Sequence, residues 1–299
     1  IRDAQESRGL GDVYKRQYCD YTIDTVYLSI YILLNYIFYE TLVKLSNLNI
    51  YFIWKKFFTW YNYINYYFRS VFMITIIVPI YNEERTVRDF VYNLYCLHNI
   101  KEHEVLFIDG GSTDKTKEIL DELSYFGYSY HLSDKKGRAN QMNYGAKIAK
   151  GDILWFVHCD SVLQKDVIEK VLTCPTEVGC LKIRFYPNSF PMWVNSLVSN
   201  MRASITNLAF GDQAIFIKKQ VFEEIGGYKD MPLMEDYKLS EDLSARSYKI
   251  TVIDSPITSS TRRYKNHTVK TMWQMQKFQK MYRRGVPVEE LAKMYKDVR

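Results

Sequence analysis

The chain has 299 residues, 47% hydrophobic and 25% charged, enough to bury one or two ordinary cores. Its five cysteines are odd in number and include no Cys-x-x-Cys pair, which speaks against a disulfide framework or a thiolate zinc site and for a reducing compartment. The formal charge of +6 is mild and uneven, with eleven Lys/Arg against three Asp/Glu over residues 262–299, and beyond that basic tail no motif points to nucleic acid.

Residues 1–72 differ from the rest. Residues 1–17 are polar, lack an apolar period and read as a translated linker. Residues 18–72 are dominated by Tyr, Phe, Ile, Asn and Lys, and twelve of the 26 tyrosines precede Met73, the bias that translated AT-rich DNA would give. The longest uncharged run, residues 25–39, is fifteen residues long, short of the roughly 20 that span a bilayer. An interfacial amphipathic segment is the alternative reading. The expected division is an extension over 1–72 and one functional domain over 73–299, with Met73 as its start.

From Met73 strands and helices alternate. Residues 73–80 form an apolar strand, and Val87, Phe90, Val91 and Leu94 then recur at helical spacing. A second strand over 104–108 ends in Asp109-Gly110-Gly111-Ser112-Thr113-Asp114, where Ser112 or Thr113 can cap a helix running to about residue 124. A short strand over 128–132 precedes Lys136-Gly137-Arg138 and a helix carrying Met142, Ala146 and Ile148. Such alternation implies parallel pairing with right-handed crossovers. Residues 153–157 are a continuous apolar run, expected for a strand buried on both faces. His158 and Asp160 sit at its C-terminal end, where open α/β sheets bind ligands. A carboxylate and an imidazole there suit a divalent metal that also holds phosphate oxygens. No Gly-x-Gly-x-x-Gly or Gly-x-x-x-x-Gly-Lys-Ser/Thr loop is present, so metal plus arginine is the remaining way to hold a diphosphate.

Farther on, residues 180–185 read as a strand, 193–208 as a helix, 214–218 as a strand and 222–226 as a short helix stopped by Gly226-Gly227. Glu235-Asp236 opens a helix with Leu239, Leu243 and Ala245 on one face, and 250–253 is the last strand.

Val78-Pro79-Ile80-Tyr81-Asn82-Glu83, Ile108-Asp109-Gly110-Gly111-Ser112-Thr113-Asp114, His158-Cys159-Asp160 and Met234-Glu235-Asp236 fall in the order and spacing of family 2 glycosyltransferases, which the chain resembles from residue 73 to 299. Residues 137–146, the His-x-Asp and Tyr282-Arg283-Arg284-Gly285-Val286 resemble the bacterial subgroup often labelled arsenosugar-biosynthesis-like glycosyltransferases. The resemblance implies an α/β GT-A fold, with a parallel, Rossmann-like nucleotide-binding half and a smaller mixed acceptor-binding half.

It also implies roles, each with a plainer alternative. Pro79, Tyr81 and Glu83 would line the base and ribose pocket, and Asp109 would accept a hydrogen bond from the base; Asp109 otherwise reads as a turn aspartate and Tyr81 as a core aromatic. The planar fork of Arg138 suits a diphosphate, or is a solvated charge in a basic loop. Gln141 and Asn143 read as helix-start caps. Asp160 is the metal candidate for Mg2+ or Mn2+, with His158 standing where the family usually carries a second aspartate. Asp236 would be the general base and Glu235 its understudy, against a carboxylate pair that stabilises a helix N-terminus. Asp212 and Gln213 could position acceptor or donor sugar hydroxyls, and Arg262 or Arg263 could return to the diphosphate or equally form a solvated basic loop after the last strand. The basic tail over 269–282 reads either as a helix packed on the core or as a cationic amphipathic helix on anionic lipid, suited to a lipid-linked acceptor.

The expectation is an inverting, metal-dependent enzyme moving a sugar from a nucleotide-diphosphate donor, a UDP-sugar in first place, to a hydroxyl acceptor by single displacement. Its expected location is the cytoplasm or the inner face of the membrane. A nucleotidyltransferase would carry a Gly-rich basic loop where this chain has Tyr81-Asn82-Glu83-Glu84. A binding module without turnover has only the His158 departure in its favour.

Overall fold

In order, β1 (Ile74–Ile80), α1 (Val87–Tyr95), β2 (Glu104–Asp109), α2 (Thr116–Glu122), β3 (Ser129–Leu132), α3 (Arg138–Ile148) and β4 (Ile153–Phe156) make the first half of the domain. β5 (Ser161–Val162), α4 (Val167–Leu172), β6 (Val178–Tyr186) and α5 (Phe190–Thr206) follow. A 3-10 turn (Gly211–Gln213), β7 (Phe216–Lys218), α6 (Lys219–Glu224), α7 (Glu235–Ala245), β8 (Ile250–Ser260), α8 (Thr268–Arg283) and α9 (Val288–Met294) complete it. The computed structural model describes residues 72–261 and 268–295. The expectations for residues 1–71, Arg262 and Arg263 lie outside the described residues.

Among the described residues, one sheet runs β3-β2-β1-β4-β7-β6-β8-β5. β1 to β4 pair in parallel, whereas β7 is antiparallel to both β4 and β6, so the sheet has the expected parallel half and mixed half. β1 shows why both faces are covered. Ile74, Ile76, Val78 and Ile80 pack into one core with Val87, Phe90 and Val91 of α1, while Ile77 packs into another with Met142 and Ala146 of α3. A β-carbon on Gly145 would stand 2.5 Å from Ile77 Cγ2, so the missing side chain lets α3 lie against the sheet.

Register brings the strand ends to one edge. Ile80 pairs with Asp109 and Asp109 with Leu132, while β4 pairs through Phe156 with Ile77, so Val157 and His158 continue past the strand at that same edge. Gln141 is not a helix cap but fastens the edge: its Nε2 donates to Ile80 O and Ile108 O, both at 2.7 Å. Gln141→Leu is expected to cost about 1–3 kcal/mol by leaving buried acceptors short of a donor. Urea unfolding checks this as a lower midpoint with unchanged slope. Asn143 is not a cap either; it exchanges two bonds with the backbone of Tyr228, at 2.8 and 2.9 Å.

Three expectations are corrected. Neither Ser112 nor Thr113 caps α2, which begins at Thr116, with Asp114 Oδ1 accepting from Thr116 N at 3.0 Å. β8 does not stop at Ile253 but runs to Ser260 through Pro256, because the register with β6 jumps between Leu181–Ile253 and Lys182–Pro256. A residue with no N–H is tolerated at such an irregularity. Leu239 and Leu243 are buried as α7's apolar face requires, whereas Ala245 is exposed.

Candidate active site

A cavity of about 660 Å³ opens at the strand-end edge. Two loops form one of its walls. Asn82 adopts a left-handed conformation (φ 54°), which asparagine tolerates better than most residues. Its N–H donates to Ser112 Oγ (2.9 Å) and its Oδ1 accepts from Thr113 N (2.8 Å). Glu83 N and Glu84 N donate to Thr116 Oγ1 (2.7 Å) and Asp114 Oδ2 (3.1 Å), closing the β1–α1 loop onto the β2–α2 loop. Pro79, Tyr81 and Glu83 thereby line the cavity, with the Glu83 carboxylate also accepting from Thr86 Oγ1 at 2.6 Å.

Asp109 is placed differently from the expectation. It is buried and does not line the cavity, although its neighbour Gly110 does. Its Oδ1 accepts from Gly111 N, Ser112 N and Ser112 Oγ at 2.7–3.0 Å, and its Oδ2 accepts from Tyr130 Oη at 2.7 Å. Burial, reinforced by this bond, pushes the Tyr130 hydroxyl well above the ordinary tyrosine range, so it stays a donor. The carboxylate therefore organises the loop that carries Gly110.

Also lining the cavity, Arg138 at the start of α3 donates through Nη1 to Glu235 Oε1 at 3.2 Å. Glu235 and Asp236 are both buried at the first turn of α7. Gly211 N donates to Asp236 Oδ2 at 2.9 Å, and Asp236 Oδ1 is buried with no hydrogen-bond partner among the described residues. Burial, then the neighbouring Glu235 charge, pushes the Asp236 carboxyl up to about 7, with Arg138 opposing. A β-carbon on Gly211 would lie 2.9 Å from both Asp236 Oδ2 and His158 Nε2. The imidazole and the carboxylate thus approach within twice that distance, over a glycine that leaves room for both.

His158 and Asp160 both line the cavity and are half-buried. Among the described residues, no cluster of three or more His, Cys, Asp or Glu could cage a metal. Two donors from one loop fit a different arrangement, in which a hard cation takes one or two protein ligands and its remaining oxygens from phosphate and water. Asp212 lines the cavity, but Gln213 does not. Gln213 is fully buried and accepts from Arg202 Nη2 at 3.3 Å, so it braces Arg202 rather than a sugar hydroxyl. Arg202, which sequence reading missed, lines the cavity with its guanidinium stacked 4.1 Å from the Phe210 ring centroid. Its only sequence signal is to be the lone charge in α5. Gly211 carries no sequence signal beyond its place before Asp212-Gln213.

Residues 75–174 match the family model described as glycosyl transferase family 2. An uncharacterized glycosyltransferase of Haemophilus influenzae is 27% identical over 216 residues, covering 67% of this chain and 71% of that protein. The poly-beta-1,6-N-acetyl-D-glucosamine synthase of Staphylococcus aureus is 30% identical over 195 residues, covering 59% of this chain but about half, 47%, of the synthase. Among solved structures, the mannosyltransferase PcManGT from Pyrobaculum calidifontis in complex with GDP-Man and Mn2+ superposes with a TM-score of 0.55 at 19% identity, covering 76% of this chain and 65% of that one. S. aureus TarS 1-349 in complex with UDP-GlcNAc gives 0.52 at 17%, covering 64% and 59%. The narrower subgroup remains a resemblance of motifs. Residues 75–174 thus carry a glycosyl transferase family 2 domain, and the relatives, joined to a parallel half whose strand ends open on the cavity, make the chain similar to glycosyltransferases of that family, on the GT-A fold of its structural neighbours.

Proposed function

We propose that the chain transfers a sugar from a nucleotide-diphosphate donor, a UDP-sugar in first place, to an acceptor hydroxyl with inversion at the anomeric carbon. The observation that carries this reading is Asp236, a buried carboxylate at a cavity wall with a free Oδ1 and a pKa raised to about 7. A base poised there is efficient near neutral pH. The neighbouring structures with UDP-GlcNAc and with GDP-Man support the donor class.

In this reading the acceptor O–H gives its proton to Asp236 Oδ1 while its oxygen bonds to the anomeric carbon. The bond from that carbon to the diphosphate oxygen breaks, and its electron pair leaves with the nucleotide. One displacement inverts the centre. Glu235 is turned to Arg138, so its part is to hold the guanidinium at the cavity, where it faces the diphosphate, rather than to act as base. Pro79, Tyr81 and Glu83 border the base and ribose. Asp109 acts through its loop, holding the turn that carries Gly110 to the cavity, where the base would lie. Asp212 faces the sugar. Asp160, with His158 beside it, would hold Mg2+ or Mn2+, which neutralises charge on the departing diphosphate; the Mn2+ in neighbouring structures supports this.

Calorimetric titration of UDP into the full chain, with Mn2+ and then with EDTA, tests the donor site. Binding is expected with Mn2+ and is expected to vanish with EDTA and in Asp160→Ala. If folded protein binds no UDP in either condition, the uridine assignment falls and GDP is titrated next.

A further inference from the structure

α5 and α8 each turn one side to the cavity and the other to solvent. Asn195, Ser199 and Arg202 of α5, and Met272, Met275 and Gln279 of α8, face the cavity. On the outward side of α5, Phe190, Trp193, Leu197, Met201 and Ile205 recur at three- and four-residue spacing. Each is between 45% and 76% exposed, and the Phe190 and Trp193 rings stack at 6.1 Å. α8 packs on α5 and adds Val269 and Trp273, 67% and 72% exposed. A single exposed leucine means nothing, but a whole helical face of large apolar side chains in water does.

The charge around this face decides its partner. α5 contains no Asp or Glu. α8 contains none either, and carries exposed Lys270, Lys277, Lys280 and Arg283. Aromatic and aliphatic side chains bordered by Lys and Arg are the makeup of a helix lying in a bilayer interface, its apolar side in the headgroup boundary and its cations on anionic headgroups. Among the described residues no helix is long and apolar enough to cross a membrane, so the contact would be with the surface. The same two helices wall the cavity, where Met272, Met275 and Phe278 of α8 present apolar surface.

We propose that α5 and α8 form a docking face for an anionic lipid bilayer, and that the acceptor sugar or alcohol reaches the cavity on a lipid carrier from that side. The acceptor part rests on the transfer reading above, whereas the docking does not. The full chain is floated at low salt with vesicles of phosphatidylcholine alone and with vesicles in which a third of the lipid is phosphatidylglycerol. Flotation is expected only with the anionic vesicles and is expected to fade as salt rises. Trp193→Glu with Leu197→Glu, and separately Lys277→Glu with Lys280→Glu, are expected to weaken vesicle binding by about tenfold or more. None of these residues lines the cavity, so UDP titration should match wild type in both variants and report that they are folded. The proposal is overturned if wild type ignores anionic vesicles at low salt. It is also overturned if both variants float like wild type, which places the lipid contact elsewhere in the chain. A dimer seen by light scattering that the Trp193/Leu197 variant abolishes, without vesicle binding, overturns it in favour of a second copy on this face. Flotation that persists without UDP binding sinks the donor reading and leaves the docking standing.

Discussion

Asp236→Asn is expected to lower the transfer rate by about 10²–10⁴-fold, the usual contribution of a positioned base, while donor binding measured by titration stays within a few fold. The amide keeps the shape and still accepts from Gly211 N through an oxygen, but it cannot take the acceptor's proton. In wild type, kcat/KM should rise with pH through a limb near 7, because the ionised carboxylate is the active form and its pKa is raised to about 7. The sign for stability is opposite. The fold favours the neutral acid relative to an ordinary aspartate near 3.9, so this group's contribution is fully present below about pH 4 and is lost as pH rises through 7. Asp236→Asn should therefore raise the melting temperature relative to wild type at pH 8 and leave it little changed at pH 4. A variant that transfers sugar at the wild-type rate would remove Asp236 from the chemistry.

Gly211→Ala should also cut transfer by about 10²-fold, because two site groups are displaced together. The added β-carbon would stand 2.9 Å from Asp236 Oδ2 and 2.9 Å from His158 Nε2, closer than real contacts allow. Gly211 does not have a positive φ, so alanine brings no backbone strain, and the effect is steric at the site. Steady-state kinetics beside a thermal melt check it: a large fall in kcat with a melting temperature within a few degrees is expected. Loss of the fold, or normal turnover, would contradict the cradle described for this glycine.

Much of this arrangement was legible in the sequence because it is local. The run at 153–157 had to be a buried strand, and the residues after it had to emerge at the sheet edge. Glu235-Asp236 had to meet the first turn of a helix. What escaped was set by distant partners. Arg138 reads as an open cation until Glu235, 97 positions away, folds against it. Asp109 sits in the loop that its motif marks, yet Tyr130 on the next strand and the amides of its own turn decide what its oxygens do. Gln213 sat in a promising tripeptide and turned inward to Arg202. Residues 193–208 read as a helix, but that reading does not say whether its apolar side chains meet a core or water.

The three-residue strand β7 joins β4 of the parallel half to β6 of the mixed half, antiparallel to both, and the Gly211–Gln213 turn leads directly into it. Ladder hydrogen bonds thus bind the wall that carries His158 to the strand that follows the Asp236 cradle. A clamshell movement between the halves would have to break those pairs at every cycle. The continuous sheet therefore opposes opening between the halves, and the spacing between the two sides of the cavity is set by the framework.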